Sequence, residues 1–327
     1  MRGLELDNLK NKNTRLKQFA NLILFSIVSF SSGTLTGAEA DIHRIRALEM
    51  AGSDMLHFYT QRCNDNSVTA FEAPISSPVK IFDNYIFLGL ETWNASALLT
   101  SEGIVIFDPL ETRFEAEEYI VNGLRELGYE PEQIKHIIVM HGHGDHFGGA
   151  KYLQELSGAD VYMSEIDWEF AETDWAVNGP RKPGQELPDR DKLIENGMTL
   201  TLGDTTIEFY MTPGHTPGTV SALIPLKDGN NEHLGGYWGG SAFSPTRNDL
   251  NQYQNSLRRF SAIAEEAGVD VILGNHPAND MSITRQYLLA QRDNENSHPY
   301  VVGTDDFLRM LGIYESCLMS IQAAFNQ

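Results

Sequence analysis

The run His141-Gly142-His143-Gly144-Asp145-His146-Phe147-Gly148-Gly149 places three imidazoles and one carboxylate within six positions, directly after an apolar stretch. Imidazole nitrogen and carboxylate oxygen are ligands that zinc accepts, and a catalytic zinc keeps one position open for water. In an extended loop, positions i and i+2 point the same way, so His141 and His143 can grip one ion while Asp145 and His146 turn toward a second. Gly142 and Gly144 remove side-chain bulk where the backbone must fold tightly. The plainer reading is a solvated His/Gly loop that binds metal incidentally; the spacing argues against it. The chemistry to expect is metal-assisted hydrolysis.

A divalent ion needs further ligands, and two histidines stand in turns that follow strand-like runs. His215 lies in Thr212-Pro213-Gly214-His215-Thr216-Pro217-Gly218, and His276 in Leu273-Gly274-Asn275-His276-Pro277. Together with the cluster they complete two sets of three ligands. Covalent catalysis ranks low, because no Gly-X-Ser-X-Gly elbow sits on a strand-turn-helix. Asp108 ends a strand and either braces the metal loop as an acceptor or is a plain turn aspartate. Asn275 either donates to a developing oxyanion or shapes the turn beside His276. His136 and His298 read as structural or solvated, and His43, His57 and His233 have no ligand context.

This combination resembles the metallo-β-lactamase superfamily over about Val79 to Pro277. The resemblance implies an α/β fold, a four-layer αββα sandwich, with one or two metals at the edge between two sheets. It implies His141, His143 and His215 on the first metal and Asp145, His146 and His276 on the second. Many hydrolases of the superfamily add an aspartate bridging both metals. The corresponding segment here, Tyr237-Trp238-Gly239-Gly240-Ser241-Ala242-Phe243-Ser244-Pro245, holds no acid. That pattern is similar to the third subclass of metallo-β-lactamases, and the shortage of hard oxygen ligands favours two zinc ions over iron or manganese. Members of that subclass carry Ser-X-Ser where this chain has Ser241, Phe243 and, one place later, Ser244. Ser241, Ser244 and Arg247 are therefore the expected substrate-binding residues, with Trp93 on a hairpin tip overhanging the site and Asn275 beside it. Metals in such a site lower the pKa of water and polarise the carbonyl. Asp145 is the expected catalytic residue, orienting the water and passing a proton to the leaving group.

The elements that must position these residues follow from periodicity. Short β-rich runs at Val79 to Phe82, Tyr85 to Leu88, Ala97 to Thr100 and Gly103 to Phe107 predict an antiparallel meander. Helical spacing over 113 to 127 leads to an apolar strand, Ile137 to Met140, that delivers the His cluster. A helix near Gly149 to Leu156, a strand at Val161 to Met163 and a helix around Ile166 to Glu172 follow. The Pro/Gly-rich polar stretch Thr173 to Gly197 reads as a long loop, which in a compact domain is usually functional or mobile. Strands return at Thr199 to Leu202, Thr206 to Met211, Thr219 to Ile224 and Gly236 to Trp238. Then come a helix near Tyr253 to Ala267, a strand at Val269 to Leu273 and two helical C-terminal segments.

The organisation expected is a signal peptide over 1–40, a lead-in segment over 41–78, a catalytic domain over 79–284 and a helical C-terminal extension over 285–327. Arg2, Lys10, Lys12, Arg15 and Lys17 precede an apolar run from Phe19 to Phe30, and Ala38-Glu39-Ala40 supplies small residues for cleavage. The run is too short for the roughly 20 residues of a membrane span, so no stable anchor is expected after cleavage. The destination implied is the periplasm or the exterior. The 327-residue chain carries a net charge of −21 at pH 7, and removing 1–40 leaves 19 basic against 42 acidic residues. Such a surface repels phosphate backbones, which argues for a small-molecule substrate and against a nucleic-acid partner. The two cysteines, Cys63 and Cys317, stand near the ends of the exported chain and form either a disulfide or two unrelated buried thiols.

The reading that results is an exported zinc hydrolase opening a cyclic amide such as a β-lactam. A lactone or thioester hydrolase on the same metals is the alternative. A non-hydrolytic metal-binding or redox module is the third class.

Overall fold

The computed structural model describes residues 35–63, 77–243, 246–293 and 297–324. The expected leader lies mostly outside them, and α1 (Leu35–Ala51) runs without a break through Ala40 before a turn leads to α2 (Leu56–Cys63). The meander follows as β1 (Val79–Phe82), β2 (Tyr85–Gly89), β3 (Asn94–Thr100) and β4 (Gly103–Phe107). Next come α3 (113–126), with a π turn over Ala116–Val121, then β5 (Ile134–Ile138), α4 (Gly144–Phe147), α5 (Ala150–Ser157), β6 (Asp160–Ser164), α6 (Glu165–Asn178) and β7 (Lys192–Ile194). The second half holds β8 (Thr199–Leu202), β9 (Thr205–Met211), β10 (Val220–Asp228), β11 (Asn231–Trp238), α7 (Arg247–Ala267), β12 (Val271–Gly274), α8 (Pro277–Asp280), α9 (Ser282–Leu289) and α10 (Thr304–Ala324).

Strands β1 to β7 lie in sequence order in one sheet, and the second sheet runs β12-β11-β10-β9-β8. The first sheet is antiparallel up to β4 and parallel from β4 to β7. Side chains alternate between two cores, as the strand period of two requires. Tyr85, Phe87, Val105 and Phe107 point between the sheets, where they meet Phe209, Val220, Ala222, Ile224 and Tyr237. Ile86, Leu88, Ile104 and Ile106 point outward and pack under Ile120, Leu124, Leu153 and Trp168 of α3, α5 and α6. On the far side, Leu223, Trp238 and Ile272 carry Phe260 of α7, Phe58 of α2, and Phe307 and Tyr314 of α10. The layers are thus αββα.

The first and last described helices both belong to this outer layer. The lead-in helices and α10 are covered together, and Cys63 of α2 is bonded to Cys317 of α10. The segment 173–197 departs from the long loop expected. Trp168, Ala171 and Trp175 keep the helical apolar spacing and carry α6 on to Asn178, where Gly179 at φ 64° ends it. Lys192–Ile194 then pairs with β6 as the edge strand. No described helix is long and apolar enough to cross a membrane.

Candidate metal centre

The turns that carry the candidate ligands converge on one edge of the sandwich. The loop after β5 brings His141, His143, Asp145 and His146; the β9–β10 turn brings His215; the end of β12 brings His276. Gly142 is needed there, since a Cβ at this position would stand 2.8 Å from the Asp167 carbonyl.

Backbone carbonyls fix three of the rings. Nδ1 of His141 meets the Gly239 carbonyl at 2.7 Å, Nδ1 of His215 the Ala242 carbonyl at 2.8 Å, and Nδ1 of His276 the Thr92 carbonyl at 2.7 Å. A carbonyl only accepts, so each Nδ1 carries the hydrogen and each Nε2 keeps a free lone pair. Those lone pairs converge. His215 Nε2 lies 3.1 Å from both His141 Nε2 and His143 Nδ1, and His146 Nε2 lies 3.1 Å from His276 Nε2. Asp145 places a carboxylate oxygen 3.3 Å from His146 Nε2 and 3.8 Å from His276 Nε2. His141 and His215, each with its hydrogen on Nδ1, face one another lone pair to lone pair and repel unless a cation lies between them, so the donor set fits a metal. His141, His143 and His215 could hold one ion, and His141 with Asp145 and His146 also brings its ligand atoms within 4.8 Å of one another.

Burial holds the His141, His143, His215 and His276 imidazoles below their ordinary value, His215 at about 3 and His276 at about 4. They are neutral, as metal ligands must be. Burial also opposes a proton on His146, but Asp145 and Asp108 outweigh it and raise its pKa. For Asp145, burial pushes the carboxyl up, and the fields of His146, His276 and His143 more than reverse this. It is therefore ionised. Its side chain is 30% exposed, which leaves it open to a reacting water.

Beneath the ligands lies a brace of buried acids. Asp108, at φ 49°, accepts from Met140 N at 2.8 Å, from Tyr237 Oη at 2.9 Å and from Asn275 Nδ2 at 2.9 Å. Its carboxylate stands 3.7 Å from His146 Nδ1. Of the two readings of Asp108, the bracing one describes its contacts. Asp167 of α6, which no sequence motif marks as a site residue, accepts from Gly142 N at 2.8 Å, Gly218 N at 2.7 Å and Thr216 Oγ1 at 2.5 Å. One carboxylate thus ties the His141–His146 loop to the His215 turn. The available signal was the pattern Ser164-x-x-Asp167, which reads as a helix cap.

The expected substrate contacts fare differently. Asn275 is fully buried and its amide donates to Asp108 and, at 2.9 Å, to the Gly239 carbonyl, so it is no oxyanion donor but part of the brace. Trp93 does not hang free over the site. Its Nε1 donates to Glu115 at 3.3 Å and the Lys182 ammonium sits 4.5 Å from its ring centre, because the 179–191 segment closes over the β2–β3 turn. Ser241 is buried on the wall of a small cavity shared with Trp238 and Asp280. Ser244 lies outside the described residues, and Arg247 is placed at the first position of α7. Phe243 packs edge-on against Tyr253 with ring centres 5.1 Å apart. His298 stacks on Phe82 and bonds the Ile81 carbonyl at 2.9 Å, while His136 meets Tyr162 edge-on; both are structural.

A family model described as "Metallo-beta-lactamase superfamily" matches residues 92–228. Among curated proteins, "Probable metallo-hydrolase YqgX" of Bacillus subtilis is 31% identical over 138 residues, 41% of this chain and 62% of that protein. An N-acyl homoserine lactonase of a Bacillus species is 36% identical over 110 residues, 33% of this chain and 40% of the relative. The chain therefore spans less than two thirds of the length of these relatives. Among solved structures, a subclass B3 metallo-β-lactamase of Bradyrhizobium japonicum superposes with a TM-score of 0.61 at 22% identity, covering 80% of this chain and 96% of the other. At that identity the likeness concerns the fold.

Proposed function

We propose that this chain, whose residues 92–228 match the metallo-β-lactamase superfamily, is an exported, two-zinc hydrolase that opens a strained cyclic amide of the β-lactam kind. His141, His143 and His215 hold one ion in this reading, and Asp145, His146 and His276 the other. The observation that carries it is the pair of converging ligand sets, with Asp145 beside His146 and His276 and no acid in the described Gly239–Phe243 segment. Gly239 and Ala242 give only carbonyls to the rings, through the contacts to His141 and His215.

Zinc, when bound, lowers the pKa of water toward neutrality and polarises the scissile carbonyl. The rest falls to the protein. Asp145 is ionised and a weak base, so it orients the attacking water and relays its proton toward the leaving nitrogen without storing it. The carbonyls of Gly239, Ala242 and Thr92 keep the rings in one tautomer and one orientation. The Cys63–Cys317 bond supports export, because such bonds persist in oxidising compartments. Hydrolysis of a lactone is the second reading, favoured by the identity to the N-acyl homoserine lactonase.

Purified protein is assayed on a β-lactam, an acyl homoserine lactone and a glutathione thioester, with and without chelator. The expected result is opening of the lactam, lost on chelation, restored by zinc and abolished in His143→Ala and Asp145→Ala. Cleavage of the lactone or thioester alone would overturn the amide reading. Two bound zinc ions with no turnover of any substrate would overturn hydrolysis itself.

A further inference from the structure

The turn that carries His276 borders a small cavity to which the metal chemistry gives no task. Trp238, Ser241, Asn275, Asp280, Met310 and Tyr314 line it, and its room of about 10 Å³ is close to what one water molecule needs. Two of these residues belong to the turn itself. Asn275 stands immediately before His276, and Asp280 closes α8 just after it. Asn275 is fully buried and Asp280 is 3% exposed.

Each of the two side chains keeps an acceptor in reserve. The Asn275 amide nitrogen donates to the Asp108 carboxylate and to the Gly239 carbonyl, each at 2.9 Å. Both of those groups only accept, so the nitrogen and oxygen of this amide cannot be exchanged. Its Oδ1 is left without a hydrogen-bond partner among the described residues. Asp280 receives Ser282 N, at 2.8 Å, and Ser282 Oγ on one and the same oxygen, Oδ1, which leaves Oδ2 for another donor. The residue is also held from behind: its carbonyl accepts from Arg285 Nε at 2.8 Å, and Nη1 of that buried guanidinium donates to the Pro299 carbonyl at 2.7 Å. Buried acceptors are costly without donors. A molecule with two hydrogens to give, in a space of this size, is water.

We propose that one buried water donates to Asn275 Oδ1 and to the Asp280 carboxylate, cross-linking the two ends of the His276 turn, and that Asp280 is thereby a positioning residue for the second metal ion. This rests on the two-ion reading and adds a residue to it. The bridge reaches both imidazoles of that site. It fixes His276 through the backbone on either side of the ring, and it steadies Asn275, which orients Asp108, whose carboxylate stands 3.7 Å from His146 Nδ1. The His141, His143 and His215 site is tied instead by Asp167, through Gly142 and Gly218. Loss of the bridge therefore acts on one ion and spares the other.

A crystal structure that resolves ordered water tests the bridge directly and needs no metal. Density within hydrogen-bond distance of both Asn275 Oδ1 and the Asp280 carboxylate is expected, and a cavity without it overturns the proposal. Titration with zinc or cobalt tests the positioning role. Asp280→Leu, which keeps the bulk and removes both acceptors, should weaken the Asp145, His146 and His276 site about tenfold and leave the other site unchanged. Asp280→Asn can still bond the water and should restore most of the loss. Ser282→Ala removes a bond to Asp280 without reaching the cavity, so both sites should keep their affinity. Thermal melting checks that each variant is folded, and Asp280→Ala is read in the same way should the leucine variant fail to fold. Equal weakening of both sites, no weakening, or the same loss in Ser282→Ala overturns the positioning role. Uptake of a single ion by the unmodified protein, with the water in place, supports the bridge and overturns the two-ion reading.

Discussion

Asp167 shows what a single residue does for this site. Its carboxylate holds two backbone N–H groups and one hydroxyl from two separate ligand turns, and burial lifts its pKa to about 6. Removing it leaves the buried Gly142 and Gly218 N–H groups unpaired and frees the His141–His146 loop from the His215 turn. Asp167→Ala should lower zinc affinity at the His141, His143 and His215 site by about tenfold or more, the lower end for groups that orient metal ligands. Chelator competition measures this, with Asp167→Glu as a partial rescue; unchanged affinity in the alanine variant would show the carboxylate to be incidental. The six candidate ligands were legible in the sequence because their residue types are rare in such density and sit among turn formers. Asp167 was not, because a Ser-x-x-Asp pattern has a local explanation that hides a long-range one. Asn275 misled for the opposite reason: a turn amide beside a ligand suggests substrate, while only the tertiary structure reveals Asp108 and the Gly239 carbonyl as its partners.

At the scale of elements, the strands were read from their period of two, and most edges fell within a residue or two. The helix α6 was cut short because the polar residues on its exposed face outnumber the apolar ones it buries. The edge strand β7 is only three residues, too short to show a period. The join between β11 and the ligand turns is tighter than any pattern indicates. A Cβ on Gly239 would stand 1.7 Å from the Val220 carbonyl oxygen, and the Gly239 carbonyl itself receives both His141 and Asn275. Gly239→Ala must therefore push β11 off β10 or shift that carbonyl. The expected cost exceeds about 3 kcal/mol, the upper range for overpacking, because backbone cannot yield as a side chain does. Chemical denaturation measures the cost, and a variant with normal stability and zinc content would contradict this crossing.

For the whole molecule, the layer on the second sheet is assembled from the first and last described helices, and it also reaches the metal centre. Just after His276, the short α8 is gripped from two sides. His57 and Arg62 of α2 bond the Ala278 carbonyl and the Asn279 side chain, and Tyr314 of α10 donates to the Asn279 carbonyl at 3.3 Å. The Cys63–Cys317 bond fastens these two helices across 254 residues of sequence. Opening it releases a very long loop in the unfolded chain, which the entropy model values at about 5.5 kcal/mol. Replacing both cysteines by serine should then lower Tm by about 10 °C in a chain of this size. The metal sites should respond unequally. His276 loses the clamp that sets its turn, whereas His141, His143 and His215 are positioned by Asp167 and by the ends of β5, β9 and β11. Zinc titration of the double-serine protein should show the Asp145, His146 and His276 site weakened and the other kept. Equal weakening of both sites would mean that the outer layer stabilises the fold as a whole and gives no particular support to the His276 turn.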